Sequence, residues 1–318
     1  MLSERGFTQA EGMRDQAEGL RRLLVRASLR VVTVVGARQG LGATSVVVNL
    51  AAALARAGKQ VLVLDENLAH DNVANALALK PRFDLLNAVR DEMPWRDIVL
   101  HTASGVHVLP VARAMQALPR LSDAERERLL ESLTAASWGM DVVLVDATTD
   151  GHSVCASLSG DEPLLLVLNA TADGITESYT LLKQMAVHNG RQAFDLVVNK
   201  ARSEQEARTV FDNMAQVAQR NLQVRLKYLG NIPLDEKLGR ATQLRRPLVE
   251  LFPDAPASCA FIELARKLML LPSAEKEGSN ALNQLLQRLL QQSGGSGLAQ
   301  RVQEPASRSS GQVGLLAR

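Results

Sequence analysis

Aromatic side chains are scarce in this chain of 318 residues, at 3% for Phe, Trp and Tyr together. Stacking against bases is therefore excluded as a main mode of nucleic-acid recognition, and the core has to be built from Leu, Val and Ala. Cysteine is nearly missing as well. Cys155 and Cys259 form no spaced metal or disulfide pattern, which fits two reduced thiols in a cytoplasmic protein. No run of about 18 apolar residues occurs, so no segment reads as a membrane span. The N-terminus carries Glu4, Glu11 and Asp15 and no apolar stretch, unlike a secretory signal. Charge of one sign is lacking too. A net charge of +2 gives no basic footprint, and no direct nucleic-acid partner is expected. His70, His101, His107, His152 and His188 have no ligand spacing.

What is present is the make-up of a globular chain, with 46% hydrophobic and 22% charged residues. The length suits one large domain with tails, or at most two small domains. Residues 1–28 are polar, with one helical pattern from Asp15 to Val25. Residues 29–271 carry the alternation of a folded domain. Residues 272–292 include a stripe of Leu282, Leu285, Leu286, Leu289 and Leu290 at helical spacing. Residues 293–318 are rich in Gly, Ser and Gln and read as disordered.

Within 29–271, short β-branched runs bounded by turns predict buried parallel strands. They fall at 31–35, 61–64, 106–109, 142–145, 164–168, 194–198 and 226–229. Helical patterns lie at 43–57, 121–136, 175–188, 203–220, 236–243 and 258–270. Gly58 suits the C′ position of the first helix, and Ser122 or Asp123 the N-cap of the second. Strands alternating with helices predict an α/β fold with a doubly wound, mostly parallel sheet. Ligands in such sheets bind at the carboxyl ends of the strands. That places the chemistry at Gly36–Ser45, Asp65–Asn72 and Asp146–Gly151.

Gly36-Ala37-Arg38-Gln39-Gly40-Leu41-Gly42-Ala43-Thr44-Ser45 joins the first strand to the first helix. Glycines let successive N–H groups curl inward, and a helix N-terminus adds partial positive charge, so the turn attracts phosphate. A Walker loop places Lys just before its Ser/Thr, for the terminal phosphates, and uses the hydroxyl for Mg²⁺. Thr44 supplies the hydroxyl; the lysine position is Ala43. A hydrogen bond to a charged group contributes about 1.5–3 kcal/mol, so binding can outlast the loss better than phosphoryl transfer can. The same glycines also fit the G-x-x-x-G-x-G loop of short-chain dehydrogenases, with Asp65 for a ribose and Tyr179 and Lys183 as a Y-x-x-x-K pair.

The downstream residues decide. Val31–Leu64 resembles the opening of the MinD/ParA ATPases, whose loop reads K-G-G-x-G-K-T; Arg38 stands at the signature lysine and Ala43 at the Walker lysine. Their D-x-D-x-x-x-x-N is similar to Asp65-Glu66-Asn67-Leu68-Ala69-His70-Asp71-Asn72, with Asn67 in place of the second acid. Asp146 matches the Walker B aspartate, and the following switch is altered to Asp146-Ala147-Thr148-Thr149-Asp150-Gly151. Thr171–Lys183 resembles the family's helix start, which accounts for Tyr179 and Lys183 without a dehydrogenase. Val197-Val198-Asn199-Lys200, Leu229-Gly230-Asn231-Ile232-Pro233-Leu234-Asp235 and Pro247–Ser258 resemble its later motifs.

Ahead of the loop, Asp15-Gln16-Ala17-Glu18-Gly19-Leu20-Arg21 is similar to the D-Q-A-x-x-L-R element of FlhG (FleN, YlxH), the MinD-like regulators of flagellar number. The resemblance implies ATP or ADP on Gly36, Arg38, Gly40, Leu41, Gly42, Ala43, Thr44 and Ser45, with Asn199 and Pro233 at the base. It implies Mg²⁺ near Thr44, Asp65 and Asp146. It also implies an FlhF-like GTPase on Asp15, Gln16, Ala17, Leu20 and Arg21, with basal-body or transcription-regulator partners, a homodimer and peripheral membrane contact as family expectations. Ala43 and Asn67 point to a pseudo-ATPase. An active enzyme using Arg38 instead, or a positioning factor for another envelope complex, stays open. The leucine stripe suits docking and membrane contact equally, because Arg288 is its only basic residue.

Overall fold

A computed structural model describes residues 29–148 and 163–271. The expected features at 15–21 and 282–290, the tail from 293, Thr149-Asp150-Gly151 and Cys155 lie outside the described residues.

Strand β1 (Arg30–Gly36) leads into helix α1 (Ala43–Arg56), and β2 (Val61–Asp65) follows. Short helices α2 (Val73–Ala76) and α3 (Leu85–Val89) precede β3 (Leu100–His101) and β4 (Val106–Pro110). Next come α4 (Ala112–Ala117), α5 (Asp123–Ala136) and β5 (Val142–Ala147). The second half holds β6 (Leu164–Asn169), α6 (Ala172–His188), β7 (Ala193–Ala201), α7 (Glu204–Leu222) and β8 (Arg225–Pro233). It closes with α8 (Glu236–Gln243), α9 (Leu248–Leu251) and α10 (Pro256–Leu270).

The strands form one sheet in the order β3-β4-β2-β5-β1-β6-β7-β8. All pairs are parallel except the β3–β4 hairpin. The expected α/β, doubly wound, mostly parallel sheet is therefore present. Every residue of β1, β2, β5 and β6 is buried, as continuous Val/Leu runs require when both faces are covered. Side chains alternate between two cores. Val31 and Val35 join Leu129, Leu133, Leu182 and Met185 on one face, while Val32 and Val34 join Val47, Leu50, Leu54 and Phe261 on the other. Each such fully buried side chain contributes about 1.5–3 kcal/mol.

Local chemistry marks the ends. Gly58 takes a left-handed φ of 81° just past α1. Ser122 and Glu125 make a reciprocal capping box at the start of α5, a device that contributes about 1 kcal/mol. β3 was not expected. It spans two residues, too short for a period-2 pattern, and its turn rests on Gly105 at φ 82°.

β1 is central, with the chain winding first toward β4 and then, after β5, toward β8. The winding reverses beside the carboxyl end of β1, where doubly wound sheets open a crevice.

Candidate functional site

The loop between β1 and α1 bends through Gly40 at φ 81° and Gly42 at φ 95°, the left-handed region that glycine enters without steric cost. Gly42 precedes α1 with no side-chain cap, and no acidic residue occupies the first turn. The first N–H groups of α1 therefore lack intrahelical acceptors and face outward with the positive end of the helix dipole. The loop lines a cavity of about 790 Å³.

Behind the loop stands Asn199. It is 3% exposed, and its Nδ2 donates to the Leu41 carbonyl at 3.1 Å. A Cβ on Gly42 would lie 2.5 Å from that nitrogen, so glycine is required there for space as well as for φ. The neighbouring Lys200 has φ 59° at a register irregularity of β7 and β8, and its N–H donates to Asn199 Oδ1 at 3.0 Å. A bulge of this kind re-aims a side chain.

Two strand-end carboxylates lie side by side, since Asp65 and Asp146 are register neighbours on β2 and β5. Thr44 Oγ1 donates to Asp146 Oδ2 at 2.8 Å. Burial pushes the Asp146 carboxyl well above the usual range, with Asp65 and then Glu66 and Asp71 adding repulsion against the Thr44 bond. Burial likewise raises Asp65 to about 6, against backbone N–H donors at Ala74 and Asn67. Two buried carboxylates beside one hydroxyl, with no cation paired to either carboxylate among the described residues, offer hard oxygen donors of the kind that suits Mg²⁺, so the residues present fit that ion.

Asn67 is 7% exposed. Its Oδ1 accepts from the Ala69 N–H at 2.8 Å, and its Nδ2 lies 3.5 Å from Asp71 Oδ1. The amide is thus used to fold the Asp65–Asn72 turn, and it has no carboxylate with which to take a proton. Ala43 puts a methyl at the cavity wall. Arg38 also lines the cavity, but its Nε donates to both Glu177 oxygens at 2.7 Å, from α6.

Gly36, Arg38, Gly40, Gly42, Ala43, Thr44, Ser45, Asn67 and Asp146 meet at the cavity. Leu41 is buried, and Asp65, beside Asp146 on the neighbouring strand, is not among the lining residues. Asn199 and Pro233 are not among the lining residues. Pro233 ends β8 and lines a separate shallow pocket with Asn231 and Lys267. On the β2 side Glu66, His70 and Asp71 line the cavity within the expected Asp65–Asn72 segment, whereas sequence reasoning missed Thr242 in α8 and Arg245 and Arg246 just past it. The Arg-Arg before Pro247 was the available signal for the last two.

A doubly wound sheet with a glycine loop, a loop hydroxyl on a strand-end aspartate and a neighbouring acidic turn defines a P-loop protein of the MinD/ParA class. The chain belongs to the family described as Cellulose biosynthesis protein BcsQ, which matches residues 29–269. It is 35% identical to the antiactivator FleN of Pseudomonas aeruginosa over 76% of this chain and 86% of that protein. It is 23% identical to the flagellum site-determining protein YlxH of Helicobacter pylori, over 77% and 83%. Among solved structures, the MinD cell division protein of Aquifex aeolicus shares the fold at TM-score 0.59 and 22% identity, covering 78% of this chain and 100% of that one. The MinD/ParA resemblance read from the motifs, with FleN and YlxH among the relatives, is borne out.

Proposed function

We propose that this protein is an FlhG-like regulator of flagellar number and placement that works by binding, with weak or absent ATP hydrolysis. One observation carries the reading: the phosphate loop, Thr44 and Asp146 stand in working register, while position 43 is a methyl and the residue at the second acid position is an amide spent on its own turn. Similarity to FleN and YlxH supports the flagellar role.

In this reading, ATP or ADP lies on the amides of Gly40–Ser45, with Mg²⁺ held through Thr44, Asp146 and Asp65. Those residues would hold the ion, which would supply positive charge to offset the carboxylates and the phosphates. Asn199 holds the loop in shape. Asp15, Gln16, Ala17, Leu20 and Arg21 engage an FlhF-like GTPase, and Leu282, Leu285, Leu286, Leu289 and Leu290 dock on a protein partner or a membrane. Nucleotide-dependent homodimers and basal-body or transcription-regulator contacts belong to the same reading.

Calorimetry with ATP and ADP, and phosphate release measured with FlhF and lipid vesicles, test it. We expect measurable binding and negligible release. Release as fast as that of a relative with an intact lysine loop would reject the pseudo-ATPase assignment.

A second reading is favoured by the place of Arg38 on the cavity wall: an active ATPase in which Arg38 serves for the missing lysine. Loss of ATP-dependent dimers in Arg38→Ala, with phosphate release in the wild type, would establish it. The BcsQ description supports a third, a positioning factor for another envelope complex. Deleting residues 1–28 separates it from the first, because only the flagellar reading predicts loss of an effect on FlhF GTP hydrolysis.

A further inference from the structure

The charge missing from position 43 has a candidate replacement in the lining of the same cavity. Helix α8 ends in a tight reversal: the Arg245 N–H donates to the Thr242 carbonyl at 3.0 Å and the Arg246 N–H to the Ala241 carbonyl at 3.2 Å. This is the pair of hydrogen bonds of a Schellman cap, whose left-handed position usually holds glycine. Here Arg245 holds it, at φ 52°, against the penalty that a Cβ brings in that region. Five non-glycine residues have positive φ among the described residues, and of these only Arg245 lines the cavity.

The reversal is tied to the phosphate loop's own helix. The Leu248 N–H donates to Asn49 Oδ1 at 2.6 Å, and Asn49 Nδ2 donates to the Ser45 carbonyl at 2.8 Å. Arg245 and Arg246 are therefore anchored beside the first turn of α1. Among the described residues Arg245 makes no ion pair or side-chain hydrogen bond, and Arg246 has a 3.4 Å contact with Glu250. The charged lining consists of Glu66, Asp71 and Asp146 against Arg38, Arg245 and Arg246. Glu177 holds Arg38 at 2.7 Å, a closer pair than the 3.4 Å of Arg246 with Glu250, so the cations more available to an anion on the loop are Arg245 and Arg246, just past α8.

We propose that Arg245 and Arg246 bind the phosphate chain of the nucleotide on the loop, supplying from the end of α8 the charge that Ala43 does not. A guanidinium is suited to this because its planar fork matches phosphate oxygens and stays charged. The inference rests on the nucleotide reading above.

The test uses the full chain and calorimetry with Mg-ATP, ADP and adenosine. Arg245→Gly combined with Arg246→Ala is expected to weaken ATP and ADP by about tenfold to a hundredfold, the range for hydrogen bonds to a charged group. Adenosine binding should not change. Glycine suits the left-handed position, so the melting temperature of Arg245→Gly should hold or rise while phosphate affinity falls, which separates lost binding from lost folding. Unchanged ATP affinity in the double variant, with the wild type binding, would overturn the arginine assignment alone. Equal losses for ATP and adenosine would overturn it in favour of a structural role. A wild type that binds none of the three would overturn the nucleotide reading and this proposal together.

Discussion

Asn199 and Gly42 form a single fitted pair: the amide nitrogen sits where a Cβ at position 42 would have to go, 2.5 Å away. The same nitrogen holds the carbonyl of Leu41. A residue on β7 thus sets the shape of a loop that follows β1, across 158 positions of sequence.

Gly42→Ala should cost about 1–3 kcal/mol through strain at positive φ and contact with Asn199. Asn199→Ala should cost a similar amount, about 1–3 kcal/mol, because the Leu41 carbonyl loses its partner in a buried place. The two together should cost less than the sum, since removing the amide opens the room that the methyl needs. Urea unfolding of the three variants measures this, and full additivity would contradict the pairing.

Restoring the cation separates binding from turnover. Ala43→Lys should tighten ATP by about tenfold to a hundredfold and still give little phosphate release, because Asn67 cannot accept a proton. Ala43→Lys with Asn67→Asp should release phosphate. Turnover from the lysine alone would show that position 67 is dispensable.

Asp146→Asn should stabilise the ligand-free fold at neutral pH. The native carboxyl is raised above its unfolded value, so the wild type holds an extra proton in the native state at intermediate pH. That stability is present below the unfolded pKa and is lost as pH rises through the folded one. The variant's advantage, a melting temperature higher by roughly a few degrees, should therefore grow with pH and vanish near pH 4, about the unfolded value. Asn can still accept the Thr44 hydroxyl. The variant should lose stabilisation by Mg-ATP at the same time, which thermal scans with and without Mg-ATP would show.

Glu177→Gln should free Arg38. Both side chains are substantially exposed, and such pairs contribute little, about 0–1 kcal/mol, so the melting temperature should barely move. ATP affinity or ATP-dependent dimerisation should increase if Glu177 restrains Arg38. Light scattering and calorimetry read both, and no change in either would mean that the ion pair is incidental.

Much of this was legible in the sequence. The Val/Leu strands, the glycine loop and the aspartates at the ends of β2 and β5 all follow short-range patterns, and the structure extends those strands by one to several residues without moving them. The hairpin strand β3 was not legible, because two residues carry no periodicity. The role of Asn199 was hidden for a different reason. Its motif matched a base-reading position, but its direction is set by a bulge at Lys200 that pairs β7 with β8 out of register. Arg245 and Arg246 were missed because their place on the cavity comes from the packing of α9 against α1 and the Leu248–Asn49 bond, contacts between distant parts of the chain. Ala43 and Asn67 were legible because they are departures from a fixed spacing.

The bulge at Lys200 has a mechanical consequence. Leu41, one amide and β7 form an unbroken relay from the floor of the phosphate loop to the outer strands of the sheet. A ligand that moves the Leu41 carbonyl would have to break the Asn199 bond or carry that side chain with it, and Asn199 stands at the irregular pairing of β7 with β8.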